Sequence, residues 1–306
     1  MEAREAVIVD VARTAFGKRK GALANWHPTD LLGLCLKTIV GRNDIDPAII
    51  DDVVGGCVTQ AGEQGCNVTR NAWIAGGLPW TVPATSVDRQ CGSSQQAAHF
   101  VAQGVIAGAY DIAIACGVES MTRAPMSSNA RGGDGPFSGA FLENTNNTLG
   151  IQFWVAQVLA DKWGITREEM DAFALESHAR AAENTDNGFF AGEIVPVPVD
   201  GGLLSTDEGI RRGGTMEKLA SLPAAWDSAD QPAPEITAGN SSQMTDGASA
   251  MIIAERSFAE RLGLPVRARF HAFAVAAEDP VIVLSAPVPA TYKLMERTGM
   301  KPDDFD

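Results

Sequence analysis

The chain has 306 residues, enough for one large two-part α/β domain or two smaller ones. An apolar share of 45% and a charged share of 20% are those of a globular protein that buries a core. A formal net charge of −14 argues against nonspecific binding to nucleic acid or to an anionic membrane surface, although a local arginine can still take an anionic ligand.

In chain order, Ala6–Asp10 reads as a first strand buried on both faces, followed by a loop around Arg13–Gly17. A helix is expected over Thr29–Val40, with Thr29 or Asp30 as its N-cap. Val53–Val58 is a second buried strand, and Asn67–Ala75 a helix broken by Gly76-Gly77-Leu78-Pro79. Val82–Val87 is strand-like and leads into an alanine-rich helical pattern over Ser94–Ala109; Asp111–Gly117 is a further apolar strand. Strands alternating with helices imply a largely parallel or mixed sheet covered by helices.

The composition then shifts. Residues 126–147 are rich in Ser, Asn and Gly and read as an irregular insertion. Leu149–Trp163 is helical, and Thr166-Arg167-Glu168-Glu169 opens another helix, running to about Glu183, with a capping-box pattern. Val195–Val199 is extended, Pro232–Pro234 reads as a linker, Ala248–Ala254 returns to a buried strand and Ser257–Leu262 to a helix. The strand Ala268–Ala276 and the helix Ala290–Arg297 follow.

Five cysteines with no regular framework suggest a reducing compartment. The spacing of Cys57 and Cys66 fits no zinc site, and no metal is expected. Met1–Glu5 is charged and shows no signal-peptide pattern, and no apolar run reaches membrane-spanning length, so a cytoplasmic soluble protein is the expectation.

One cysteine stands out. Cys91 lies between the Val82–Val87 strand and the following helix, so its thiol sits at the mouth of a helix. The positive end of a helix dipole favours a thiolate, and a thiolate is a strong nucleophile toward acyl carbon. A buried structural cysteine is the other reading of such a position, and position alone leaves both open. The flanking residues decide between them.

Those flanks resemble the thiolase family. The matching blocks are Gly55-Gly56-Cys57-Val58-Thr59-Gln60-Ala61-Gly62-Glu63-Gln64, Ala75–Pro79, Val82–Thr85, Cys91-Gly92-Ser93-Ser94, Gly117–Pro125, Asp207-Glu208-Gly209-Ile210-Arg211 and Thr237–Ala248, in family order along nearly the whole chain. The resemblance implies a layered α/β/α/β/α fold. Residues 1–122 and 245–265 would form the N-terminal, nucleophile-bearing half. Residues 123–244 would form an inserted CoA-binding loop domain, and 266–306 the start of a C-terminal half.

It implies acyl transfer as well: thiolytic cleavage of a 3-ketoacyl-CoA, or the reverse Claisen condensation, with Cys91 as the nucleophile and coenzyme A as co-substrate rather than cofactor. Arg211 matches the arginine that meets the adenine end of CoA, and Ser242 the serine that bonds the pantetheine arm. Gly239 and Asn240 would form the turn presenting Ser242, and Trp226 falls where an aromatic packs on pantetheine. The His-Met-Gly of many members is here Thr148-Leu149-Gly150, so Leu149 faces CoA without the histidine contact. Ser94 replaces a usual glycine beside the nucleophile. The Gln95-Gln96 pair and the Cys57–Gln64 block look most like thiolases of steroid side-chain degradation.

The family's Asn-Glu-Ala-Phe and Gly-His-Pro blocks and its second, Gly-rich cysteine loop do not occur in these residues, so a chain truncated before them is expected. None of the four histidines replaces the base: His99 is eight residues beyond Cys91 on the same helix, about 12 Å along its axis, and His27, His178 and His271 are expected in a loop, a helix and a strand. Two readings follow. One is an acyltransferase that forms a homodimer or homotetramer; the other is a CoA-binding subunit whose missing half comes from a partner chain.

Overall fold

The structure is a computed structural model and describes residues 4–305. Its elements in chain order are β1 (Ala6–Thr14), β2 (Gly17–Lys18), α1 (Pro28–Arg42), β3 (Val53–Gly56), α2 (Val68–Ala75), β4 (Ala84–Val87), α3 (Ser93–Ala107) and β5 (Ile112–Ser120). They continue with α4 (Gly139–Asn144), α5 (Gln152–Trp163), α6 (Arg167–Asp186), β6 (Ile194–Val195), β7 (Val197–Val199), β8 (Gly202–Leu204), α7 (Met216–Ala220), β9 (Ala224–Trp226) and β10 (Ala233–Thr237). The last are β11 (Thr245–Glu255), α8 (Arg256–Arg261), β12 (Ala268–Arg269) and α9 (Pro287–Thr298).

The chain forms two compact units. The first comprises 1–131, 187–209 and 244–271 and contains a mixed eight-stranded sheet in the order β12-β1-β11-β5-β3-β4, with β2 on β11 and β6 on β1. β3, β4 and β5 run parallel; β11 runs antiparallel to both β1 and β5.

Side-chain alternation covers both faces. Ile112, Ile114, Cys116 and Val118 of β5, with Ala248, Ala250, Ile252 and Ala254 of β11, join a core completed by Leu31, Leu32, Leu36 and Ile39 of α1 and by Trp73 of α2. Each of those leucines and isoleucines contributes about 1.5–3 kcal/mol on burial. The alternate residues of β5, Ala113 and Ala115, are small and buried, and α3 packs on β5 and β3 through Ala97, Ala98, Val101, Ala102 and Val105. Small side chains on both partners let this helix lie close to the strands.

The second unit comprises 132–186, 210–243 and 272–306. Its regular parts are α4, α5, α6, α7, α9 and the hairpin β9–β10, in which Trp226 pairs with Ala233. α5 packs on β10, where the Gln157 amide accepts the Glu235 N–H at 3.1 Å and donates to the Glu235 carboxylate at 2.9 Å.

Several expectations change. β1 extends through Arg13 and Thr14, because β6 pairs with those two residues where a loop was expected. The N-cap of α1 is His27, whose Nδ1 accepts the Thr29 N–H at 3.3 Å; Pro28 takes the first helical position, where no amide donor is needed. The segment 268–276 is a strand only over Ala268–Arg269, since β1 offers it just Val7 and Ile8, and His271 therefore lies beyond any strand. Ala233 and Pro234 belong to β10 rather than to a linker. The capping box at α6 forms as expected: the Thr166 N–H donates to Glu169 Oε2 at 2.8 Å and the Glu169 N–H to Thr166 Oγ1 at 3.3 Å.

The units divide after Arg131 rather than before 123, while the second boundary, between Gln243 and Met244, falls one residue from the expected one, with 187–209 set apart between them. Residues 187–209 join the sheet unit because Arg13 binds Glu193 at 2.7 Å and Asp207 at 2.8 and 3.1 Å, with its guanidinium over the rings of Phe16 and Phe190. Asp207 also accepts the Phe16 N–H at 2.7 Å, and Glu208 accepts the N–H groups of Lys18 and Ala22. Residues 272–306, expected to open a separate half, group with the second unit. The described residues hold one large sheet, and the second sheet of a five-layered fold is not among them.

Candidate active site

Three parallel strands bring the motif blocks to one edge of the sheet. Gly56 of β3 stands in register with Val87 of β4 and Gly117 of β5, so the chain leaves β3 and β4 toward Cys57 and Cys91 beside the last residues of β5, which include Glu119. The carboxyl edge of parallel strands is where α/β proteins place their chemistry.

Cys91 follows β4 by four residues and is exposed. The turn that carries it is tightly bonded. Gln90 N–H donates to Asp88 Oδ1 at 2.7 Å, Gly92 N–H to the Arg89 carbonyl at 3.1 Å, and Ser93 Oγ both accepts from Arg89 N–H at 2.9 Å and donates to the Gln90 carbonyl at 2.5 Å. Gln90 itself has φ of 48°, a left-handed conformation unusual for a residue with a side chain, and it turns the chain sharply just before the thiol. α3 begins at Ser93 with Gly92 as its N-cap, which leaves Cys91 at the positive end of a 15-residue helix. The helix is unbroken past His99, so that ring stands about two turns from Cys91.

Two glycines permit this placement. A Cβ on Gly56 would stand 2.3 Å from the Ser94 backbone nitrogen, and one on Gly117 would stand 1.9 Å from Ser94 Oγ. The start of α3 therefore rests directly on the backbones of β3 and β5. Ser94, the departure from the family pattern, directs its hydroxymethyl against Gly117.

The neighbouring blocks lock together at the same edge. The Glu119 carboxylate accepts from Val58 N–H at 2.9 Å, Thr59 N–H at 3.3 Å and Gln64 Nε2 at 2.8 Å, while Gln64 Oε1 accepts the Ser120 N–H at 2.7 Å. Arg123 grips Glu63 through two N–H groups. Asp246 at the start of β11 accepts from Ser120 Oγ at 3.2 Å and Thr122 N–H at 2.9 Å, bringing the last block to the same place.

Burial separates the thiols. Cys35, Cys57 and Cys116 are buried, and burial pushes Cys35 and Cys57 up to about 12; at Cys57 the carboxylates of Glu119 and Asp88 act in the same direction. Cys116 is raised by burial too. These three are closed to thiolate chemistry near neutral pH. Cys66 and Cys91 are exposed, each one residue before a helix N-cap; α2 after Cys66 has eight residues and α3 after Cys91 fifteen.

The expected CoA-contacting residues, Leu149, Arg211, Trp226, Gly239 and Ser242, all belong to the second unit, whereas Cys91 belongs to the first. Arg211 and Ser242 are exposed, and Trp226, 37% exposed at the end of β9, is not a core residue. Leu149 is half-buried and its carbonyl accepts from Gln231 Nε2 at 3.4 Å. Gly239 sits in the turn after β10, where a Cβ would meet Leu219 at 2.5 Å. Asn240 braces that turn, accepting the Thr237 N–H at 2.8 Å and donating to Asp171 Oδ1 and the Glu235 carbonyl, both at 3.0 Å. The motif block Asp207–Arg211 is divided: Asp207 and Glu208 are structural ties of the sheet unit, and Arg211 lies in the second unit.

Among the described residues no three His, Cys, Asp or Glu side chains stand close enough to hold a metal ion, and no helix is long and apolar enough to cross a membrane.

A mixed α/β sheet thus delivers an exposed cysteine to a helix N-terminus at the carboxyl edge of parallel strands, the class of α/β protein that places reactive groups at that edge. The comparisons give the family. The model of the thiolase N-terminal domain matches residues 6–257. The chain is 41% identical over 315 aligned residues to the steroid 3-ketoacyl-CoA thiolase FadA6 of Mycobacterium tuberculosis, covering 99% of this chain and 74% of that protein. It is 42% identical to a 3-ketoacyl-CoA thiolase of Shewanella putrefaciens and 39% identical to one of Aliivibrio fischeri, covering 99% of this chain and 78% of each. The chain belongs to the thiolase family.

Proposed function

We propose that the chain performs thiolase-type acyl transfer on 3-ketoacyl-CoA thioesters through an acyl-Cys91 intermediate. The Cys91 thiolate attacks the 3-keto carbon. The bond between C2 and C3 breaks, leaving the acyl group on sulfur, and the departing enolate takes a proton to become acetyl-CoA. The thiol of a second CoA then takes the acyl group and frees Cys91; run backward, the same steps make a carbon–carbon bond. The observation that carries this reading is the arrival of an exposed Cys91 at the start of α3, where backbone N–H groups can serve an oxyanion.

Arg211 takes the adenine end of CoA in this reading, Ser242 the pantetheine arm presented by the Gly239 turn, and Trp226 and Leu149 pack against that arm. CoA is a co-substrate, and no metal or redox cofactor takes part. Similarity to a steroid 3-ketoacyl-CoA thiolase supports lipid or steroid side-chain degradation as the setting. A cytoplasmic location and a homodimer or homotetramer complete the proposal.

Intact mass measured before and after exposure to an acyl-CoA tests the reading. An acyl adduct present in the wild type and lost in Cys91→Ala is expected. Absence of an adduct while CoA still binds would overturn it, in favour of a CoA-binding subunit that works with a partner chain.

A further inference from the structure

We propose that His178 is the positioning residue for Arg211, setting the direction of its guanidinium by holding the loop backbone through Nδ1. The inference rests on the reading that Arg211 binds CoA.

α6 is 20 residues long, and Asp171 is its buried residue; most of its length faces outward. One stripe of it is nevertheless engaged. Leu175, His178, Ala182 and Asp186 follow one another at intervals of three and four residues, which places them along one side of the helix. The loop 211–214 is attached along this stripe at three points.

At one end, Arg212 makes a bidentate pair with Asp186, with both contacts at 2.8 Å. At the other, Gly214 lies so near Leu175 that a Cβ there would meet its Cδ2 at 2.7 Å. Between them, the Arg211 N–H donates to His178 Nδ1 at 3.2 Å. Gly213, with φ of 67°, supplies the reversal that lets the loop return toward the helix.

A groove of about 550 Å³ remains between the loop and the helix. Ala172, Leu175, Ala179 and Met216 give it an apolar lining, and its polar groups are His178, Arg211, Arg212 and the carboxylate of Glu176. Such a lining with a few placed polar groups suits the planar, anionic end of a nucleotide.

The Arg212–Asp186 pair is exposed on both sides, so it adds little to the loop's hold. The His178 bond is the contact made to Arg211 itself. Because its partner is an N–H, His178 Nδ1 must be unprotonated, and in the neutral ring the proton is then on Nε2. The ring acts on the arginine's backbone and is given no contact with the substrate.

Two isosteric replacements separate the two ring nitrogens. Asparagine places an amide oxygen where Nδ1 stands; glutamine places its amide near Nε2 and leaves the Arg211 N–H without its acceptor. CoA dissociation constants measured calorimetrically on the full chain should be within about twofold of wild type for His178→Asn and about three- to tenfold weaker for His178→Gln, the range of one lost hydrogen bond. Hydrogen exchange of the 210–215 segment without ligand should be unchanged in His178→Asn and faster in His178→Gln.

Arg211→Ala separates the inference from the reading beneath it. If Arg211→Ala does not weaken CoA binding, the assignment of Arg211 fails. If it does and the two His178 variants bind alike, or exchange alike, the positioning role of His178 is overturned.

Discussion

The Cys91 turn and the Asn240 turn are both tied by side chains, but they differ in what lies beneath them. At Cys91 close backbone packing is added to the bonds made by Asp88 and Ser93. Gly56 and Gly117 have no side chains, so the first turn of α3 rests on β3 and β5 and the preceding residue is forced to φ of 48°. At Asn240 one carboxamide bonds two backbone groups and a carboxylate, and the Gly239–Ser242 segment follows. A residue set on close backbone packing moves only if the strands beneath it move. The Asn240 turn is tied further by Thr237, whose Oγ1 accepts the Gly239 N–H at 3.1 Å and whose carbonyl accepts the Ser241 hydroxyl at 2.6 Å.

The largest expected effect tests the backbone half of that contrast. Gly56→Ala puts a methyl 2.3 Å from backbone that cannot rotate away, and should cost about 3 kcal/mol or more in a urea unfolding series. A near-neutral result would mean that close contact with β3 is not what holds α3. Next comes Asn240→Ala, which leaves the Thr237 N–H, the Glu235 carbonyl and Asp171 each short of a partner; about 2–3 kcal/mol is expected from the same measurement, together with weaker CoA binding.

Gly117→Ala should cost less, about 1–2 kcal/mol, because the atom it meets first belongs to the Ser94 side chain; adding Ser94→Gly should recover part of the loss. Failure of that rescue would show that the Gly56 carbonyl, 3.1 Å from the new methyl, is the real obstacle.

The smallest effect is one of pH and belongs to the sheet unit alone. Burial pushes the Asp10 carboxyl up, but hydrogen bonds from Arg42 and Asn43 outweigh it and hold the group below the ordinary 3.8. Its folded value is thus lower than its unfolded one. The carboxylate stabilises the fold at neutral pH, and that contribution is lost as pH falls from near 3.8 through the lower folded value. Asp10→Asn should flatten this part of the acid unfolding curve; an unchanged slope would remove Asp10 as its cause.

Much of the site was legible in the residues. Strand and helix around Cys91 follow from an apolar run and an alanine-rich pattern, and α3 starts within one residue of where that pattern places it; the sharp turn at Gln90 carries no such mark. The Thr166–Glu169 box was equally readable, because both partners lie within one turn. His178 was passed over as an ordinary helix residue: its partner is a backbone N–H 33 positions away, and no side-chain pattern marks such a donor. The stripe from Leu175 to Asp186 was the available signal, yet it becomes informative only when a loop is seen lying along it.

By itself the sequence determined the family and the helix that begins beside Cys91, since motif blocks and periodicity are properties of short stretches of chain. Tertiary structure decided that β11 runs antiparallel between β1 and β5, and that Asp207 and Glu208 serve the sheet unit. It decided too that the strand at Ala268 stops after two residues and that His178 holds Arg211. The physical reason is common to all four: each depends on a hydrogen bond or strand register between residues far apart in the chain, and such a partner exists only after the chain has folded.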